Sequence, residues 1–305
     1  MFGRIVTKLL PLVPKPIVKR VAMRYVAGED LQSAANVVRS LNGRGYDATM
    51  DILGEDARSS EDADRTVAGY GEVLARIAEM GLASNISVKL THLGMRLDPK
   101  AAARRLGMLV DDAARRGNFV RIDMEDSSLT QATLDLYSDL HRAHANVGTV
   151  LQAYLRRTEQ DARDLAALGA NLRLCKGIYR EPADIAFQKA DEVRASYLRT
   201  ARILLDTPGT YTGLATHDRG LIASLVALVE SRDIPKNRFE FQALLGVPVE
   251  DVLDDLVARG YRVRWYVPFG RDWYAYSTRR LKENPKMATY IVRQMFSPRN
   301  QSAPA

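Results

Sequence analysis

The feature that most constrains this chain of 305 residues is an alternation running through most of its length: short β-rich runs, each followed by a longer helical pattern. The runs are Tyr46–Leu53, Ile86–Thr91, Phe119–Glu125, Thr149–Leu155, Asn171–Lys176, Thr212–His217, Phe239–Leu245 and Arg262–Val267. Helical spacing marks Asp62–Met80, Pro99–Arg116, Leu129–Ala145, Gln160–Leu168, Pro182–Leu205, Arg219–Ser231 and Pro248–Arg259, with one more helix, Glu29–Leu41, before the first run. Parallel strands need crossover helices of this kind, and eight strands is the number that closes a (β/α)8 barrel. The expected fold is therefore α/β, a (β/α)8 TIM barrel with an N-terminal helical extension; a doubly wound open sheet is the alternative. No linker or composition break divides the eight units, so residues 46–296 are expected to form one barrel domain. Residues 1–45 would be an N-terminal helical arm, and 297–305 (SPRNQSAPA) a disordered tail.

Side chains alternate across a strand, so each run splits into two phases. One phase is apolar and should pack on the helices: Met50 and Ile52, Val88 and Leu90, Val120, Ile122 and Met124, Leu172 and Leu174, Phe239 and Phe241, Val263, Trp265 and Val267. The other is polar in nearly every strand: Asp51, Lys89, Asp123 and Glu125, Gln152, Arg173, Thr216, Glu240 and Gln242, Arg264 and Tyr266. A closed barrel normally fills its lumen with Val, Ile and Leu. Unpaired polar groups there cost kilocalories each to bury, so a nearly complete ring predicts a ligand cavity at the C-terminal face.

Composition removes several classes. The single cysteine, Cys175, excludes an intramolecular disulfide framework and fits a reducing cytosol. Four histidines, His92, His141, His144 and His217, without a Cys/His cluster argue against structural zinc, and no metal is expected. The net charge of +7 leaves nucleic acid, an anionic membrane surface or an anionic ligand as partners. No nucleic-acid-binding signature accompanies it, and none is expected to bind. Basic residues concentrate partly in the first segment, where Arg4, Lys8, Lys15, Lys19, Arg20 and Arg24 interleave with apolar side chains. Pro11, Pro14 and Pro16 break that segment too often for a signal peptide or a membrane-spanning helix. An arm that touches a membrane surface, or a helix packed on the main domain, are the two readings left.

Gly43, Gly45 and Ala48 match the G-x-G-x-x-A dinucleotide pattern, but they follow a helix and precede a strand, the reverse of what the mechanism needs. Cys175, with no histidine base apparent in sequence, reads as a small wall residue. Lys176-Gly177 ends the fifth run, where a backbone without Cβ beside cations suits close approach of an anionic, planar or phosphorylated ligand. Thr216, His217 and Asp218 offer hydroxyl and imidazole contacts at the same face. Near the C-terminus, Tyr276 precedes Arg279 and Arg280 by one helical turn, and Glu283 follows them by another. On its own this is a solvated helix face. Set after a polar barrel mouth, it becomes a lid whose arginines meet a buried anion.

With these residues in hand, the chain resembles proline dehydrogenase of the monofunctional bacterial type from about Tyr46 to Pro285. The resemblance rests on Val88-Lys89-Leu90, Arg121-Ile-Asp123-Met-Glu-Asp-Ser127, Leu151-Gln152-Ala-Tyr154, Arg173-Leu-Cys-Lys-Gly-Ile-Tyr179, Ala215-Thr-His217, Phe239-Glu-Phe-Gln242, and Tyr266-x-Pro268 leading into Tyr276-Ser-Thr-Arg279-Arg280. It implies a distorted (β/α)8 barrel, with a C-terminal helix over its mouth, that holds FAD without a Rossmann motif. It implies oxidation of L-proline to Δ1-pyrroline-5-carboxylate by hydride transfer to FAD, with a membrane quinone reoxidising the flavin. Carried over by position, Asp123 and Arg173 are the catalytic residues, Asp123 ordering flavin and substrate and Arg173 lying beside the flavin. Lys89, Arg279 and Arg280 would hold the substrate carboxylate, and Tyr266 and Tyr276 would wall its ring. Met124, Gln152, Arg173, the Lys176-Gly177-Ile178 backbone, Thr216 and His217 would bind FAD. A cytoplasmic protein, peripheral on the inner face of the cell membrane if the arm docks there, is the expected setting. Ile178 and Cys175 replace the alanine and valine common in the family, which should narrow the pocket against substituted prolines. The alternative is another flavin-dependent (β/α)8 oxidoreductase, such as a relative of methylenetetrahydrofolate reductase.

Overall fold

The computed structural model describes residue 19, residues 22–54, 56–274, 276 and 277. Arg279, Arg280 and Glu283, and most of the N-terminal arm, lie outside the described residues. Eight parallel strands close into a barrel in sequence order. They are β1 (Asp47–Ile52), β2 (Ser84–Val88), β3 (Val120–Ile122), β4 (Val147–Gln152), β5 (Asn171–Cys175), β6 (Tyr211–Ala215), β7 (Phe239–Leu244) and β8 (Val263–Phe269). The helices are α1 (Leu31–Gly43), α2 (Ser60–Glu79), α3 (Pro99–Arg115), α4 (Ser127–His141), α5 (Thr158–Ala166), α6 (Ala190–Asp206), α7 (Arg219–Ser231) and α8 (Glu250–Ala258). The closing seam pairs β1 with β8 from Asp47↔Arg264 to Ile52↔Phe269.

Five of these eight helices start on a side-chain cap, supplied by Asp30, Ser59, Asp98, Asp126 and Asp218. Asp98 accepts from the N–H groups of Lys100 and Ala101, Pro99 opens α3 with a fixed φ, and the helix buries Ala102, Arg105, Leu106, Leu109, Val110 and Ala113 on one stripe. That stripe covers the apolar phase of the strands, which carries the core. Helix α1 lies across β1 and β8 and buries Ala34, Ala35, Val38 and Leu41. It thus covers the seam that the helix after the last strand covers in a regular barrel, the distortion in this one. The chain ahead of α1 sits at the C-terminal ends of the strands, where the Ala27 N–H donates to Pro268 O (2.8 Å). A Cβ on Gly246 would fall 2.0 Å from the Arg24 carbonyl oxygen, so that approach needs glycine.

The lumen corrects two expectations. Register sets Gly213 beside Arg173 and Glu240, and Ala215 beside Gln242, so β6 turns small residues inward and Thr216 falls past the strand in the other phase. The room is used: a Cβ on Gly213 would lie 2.4 Å from Gln242 Nε2, because Gln242 leans across β6 to reach Arg173. Nor does the polar phase gather at one end. Glu240 and Arg264 come early in their strands and belong to a lower layer, where Arg264 donates to Glu240 (2.7 Å) and to Ala48 O (2.6 Å). Arg121 joins that layer by donating to Thr149 O (3.0 Å) and Asn171 O (2.7 Å). Burial, with Arg173 nearby, pulls the Arg121 guanidinium down to about 9. This layer closes the barrel floor and lines a shallow cleft of about 400 Å³ at the N-terminal end.

Candidate active site

The upper layer is built around Asp123. Strand β3 stops at Ile122, and Asp123 follows with its N–H donating to Val88 O (2.9 Å), which aims the carboxylate inward at the C-terminal mouth. Four side chains from β2 and the residue after it, β5 and β8 converge on it. Ser87 Oγ donates to Oδ1 (2.6 Å), Arg173 donates to Oδ1 (2.9 Å), Tyr266 OH donates to Oδ2 (2.7 Å), and Lys89 Nζ stands 4.0 Å from Oδ2. Burial alone would raise this carboxyl; Arg173 and Lys89, with the Ser87 and Tyr266 hydrogen bonds, hold it below the ordinary aspartate range. Asp123 is therefore a carboxylate whose lone pairs are committed. Arg173 is fixed in turn by Gln242, which accepts from its Nε (2.7 Å), and its guanidinium lies 5.2 Å from the centre of the Tyr266 ring.

A second acid completes the ring. Asp51, 1% exposed on β1, accepts from Lys89 Nζ with both oxygens (2.8 and 2.9 Å) and from the Tyr70 hydroxyl of α2 (3.2 Å). Burial pushes the Asp51 carboxyl up, against the pull of Lys89. Burial likewise acts to depress the Lys89 ammonium, yet Asp51 and Asp123 hold it above its ordinary value. Farther out, Glu125 accepts from both the backbone N–H and the hydroxyl of Thr91. Burial raises its carboxyl.

Beside this ring runs a surface with spare polar capacity. Gln152, at the end of β4, donates to the carbonyls of Met124 (3.0 Å) and Glu125 (2.9 Å), while its buried Oε1 has no partner among the described residues. Buried polar atoms are rarely left so. Gly177 has φ +97°, and a Cβ there would sit 2.1 Å from the Tyr154 ring, so the chain passes flat against that ring. The Lys176 carbonyl accepts from the Tyr154 N–H (2.9 Å), while its ammonium pairs with Asp218 (2.6 Å). His217 Nε2 accepts from the Leu244 N–H (2.9 Å), which puts the proton of a neutral ring on Nδ1. Thr216 Oγ1 accepts from the Asp218 N–H (3.2 Å).

Lys89, Asp123, Arg173 and Tyr266 thus meet in one contact network. Met124, Gln152, Lys176, Gly177, Ile178, Thr216 and His217 lie along the ends of β3 to β6, with Ile178 37% exposed. Tyr276 lies in a helical segment that starts at Trp273 and packs against the cluster of Ala22, Val26, Leu53 and Trp273. Sequence reading singled out neither Ser87 nor Tyr70. Ser87 shares the phase of Lys89, which was the available signal; Tyr70 lies on a helix, where no strand pattern points to it.

A closed (β/α)8 barrel whose C-terminal mouth holds a buried ring of committed acids and bases is the architecture of an enzyme. A family model described as proline dehydrogenase matches residues 34–293. The chain belongs to the proline dehydrogenase family, and its activity is that of a proline dehydrogenase. It is 38% identical over 274 residues to proline dehydrogenase 1 of Bacillus subtilis, covering 89% of each chain. It is 36% identical over 287 residues to proline dehydrogenase of Deinococcus radiodurans, covering 90% of each. Among solved structures, proline utilization A from Bdellovibrio bacteriovorus, inactivated by N-propargylglycine, superposes with a TM-score of 0.81 at 26% identity. That match covers 92% of this chain and 34% of the longer protein. Among the described residues, no helix is long and apolar enough to cross a membrane.

Proposed function

We propose that the protein oxidises L-proline to Δ1-pyrroline-5-carboxylate, with FAD as its resident cofactor and a membrane quinone as the final electron acceptor. The observation that carries this reading is the ring around Asp123. It presents a fixed carboxylate, an ammonium and a guanidinium to one buried space, beside a wall with an unsatisfied polar atom. The orphaned Gln152 Oε1 and the flat Gly177 backbone fit an extended polar cofactor along β4 and β5. Gln152, the Lys176-Gly177-Ile178 backbone, Met124, Thr216, His217 and Arg173 would hold FAD, which, once bound, supplies the acceptor for the hydride leaving the substrate.

The chain's own residues prepare the substrate. Tyr266, its hydroxyl tied to Asp123, gives a wall whose ring cannot swing, so a small ring packed on it is held in one orientation. Lys89 spends two N–H groups on Asp51 and keeps one for the substrate carboxylate, with Arg279 and Arg280 completing its charge neutralisation. Asp123 carries no proton and orders its neighbours without acting as a base.

The test is direct. Purified protein should be yellow, and L-proline should bleach its flavin without oxygen. A colourless protein that cannot be reconstituted with FAD overturns the reading. Arg279→Met or Arg280→Met should raise KM for proline with flavin retained, and an unchanged KM would remove them from the carboxylate site.

A further inference from the structure

Lys89 is presented to the substrate by a neighbour that the proline reaction does not itself require. Its side chain enters the barrel mouth just past β2 on a flexible four-carbon stem, and a lysine in that position has many rotamers open to it. Asp51 removes that freedom. Its two oxygens take two of the three ammonium N–H groups at 2.8 and 2.9 Å, and the carboxylate is itself 1% exposed. Tyr70 fixes Asp51 from behind, donating to Oδ1 (3.2 Å) and accepting from the Ile52 N–H (3.3 Å), so the acid is tied to the backbone of its own strand. The third ammonium N–H is left toward Asp123, whose Oδ2 at 4.0 Å is too far for a direct hydrogen bond. Among the described residues, one donor therefore stays open on the side of the site.

We propose that Asp51 is a positioning residue: it keeps Lys89 charged and aims its single remaining N–H at the substrate carboxylate. This rests on the reading above that Lys89 binds that carboxylate. The charged and titratable groups facing Lys89 come from every side: Asp51 on β1, Tyr70 on α2, His92 on its own loop, Asp123 and Glu125 after β3, Arg173 on β5 and Tyr266 on β8. Among the described residues, only the three carboxylates favour the ammonium, and Asp51 alone contacts it within hydrogen-bond distance. Losing that contact leaves only Asp123 and Glu125, neither within hydrogen-bond distance, to offset burial of the ammonium.

The probe is cyclopentanecarboxylate, a ring carboxylate without a titrating amine, measured as a competitive inhibitor of the holoenzyme between pH 7 and 9.5. Wild type should show a nearly flat inhibition constant. Asp51→Asn, which keeps shape and an acceptor but removes the charge, should lose affinity about tenfold per pH unit once Lys89 gives up its proton inside that window. Lys89→Met should bind weakly at every pH, and adding Asp51→Asn to it should change nothing further. A flat profile for Asp51→Asn, with Lys89→Met still weakened, overturns the positioning role and leaves the carboxylate reading intact. Unchanged inhibition by Lys89→Met overturns both. Calorimetry on wild type in two buffers decides the matter without any variant: binding at pH 9 should take up no proton, and proton uptake refutes the proposal.

Discussion

Arg173→Met tests whether a guanidinium holds Asp123 as a buried carboxylate. Methionine keeps most of the length and packs against the same walls. Asp123 would then have Ser87 and Tyr266 as donors, with Lys89 still 4.0 Å away. Breaking a buried ion pair by removing one partner costs about 3–5 kcal/mol, because a charge is left uncompensated. The surviving donors place this case near the lower end. At roughly 2–4 °C per kcal/mol, the melting temperature at pH 8 should fall by about 6–12 °C. The pH dependence gives the sharper test. In wild type the Asp123 carboxyl is held below its ordinary value, so its contribution is complete above about 3.9 and is lost only as pH falls through the lowered value. Without Arg173, burial prevails and the carboxyl takes up a proton at higher pH, which relieves the uncompensated charge. The gap in melting temperature between variant and wild type should therefore narrow from pH 8 to pH 5. Thermal unfolding of both proteins at the two pH values measures it, with Arg173→Lys as a control that keeps the charge. A gap equally wide at pH 5 would mean that lost packing against Tyr266 and Gln242 causes the effect, and would refute the electrostatic account.

Three further outcomes follow from the same geometry. Tyr266→Phe removes a 2.7 Å hydrogen bond to a carboxylate, worth about 1.5–3 kcal/mol, and should lower kcat/KM for proline at least roughly tenfold in steady-state assays. Gly177→Ala forces a Cβ into the Tyr154 ring at φ +97°, a strain on the order of 1–3 kcal/mol, and should lower the flavin-to-protein ratio measured by absorbance. Asp98→Ala removes the side-chain cap of α3 and should cost about 0.5–2 kcal/mol in denaturant unfolding while kcat and KM stay unchanged.

Much of the barrel was legible before any coordinates. All eight β-rich runs are strands, and the helical stretch Arg219–Ser231 coincides with α7. The ends were less legible. The second and third runs stop as strands at Val88 and Ile122, before the Lys89 and Asp123 that the reading placed inside them. A run of alternating residues carries no mark of where the ladder hydrogen bonds end and the chain turns to present a side chain at the mouth.

Sequence alone determined the fold class and the apolar phase of most strands, and it set Lys89, Asp123, Arg173 and Tyr266 in the polar phase; the family resemblance singled those four out. Period-two alternation and local spacing are properties of the chain itself, so they survive without knowledge of neighbours. Tertiary structure decided the rest. Which layer a polar residue joins depends on the stagger between strands, so Glu240 and Arg264 went to the floor while Asp51 went to the mouth. Which acid pairs with which base depends on distances across the lumen between residues far apart in sequence. That is why Lys89 meets Asp51, and why Gly213 had to be small, only once the barrel is closed.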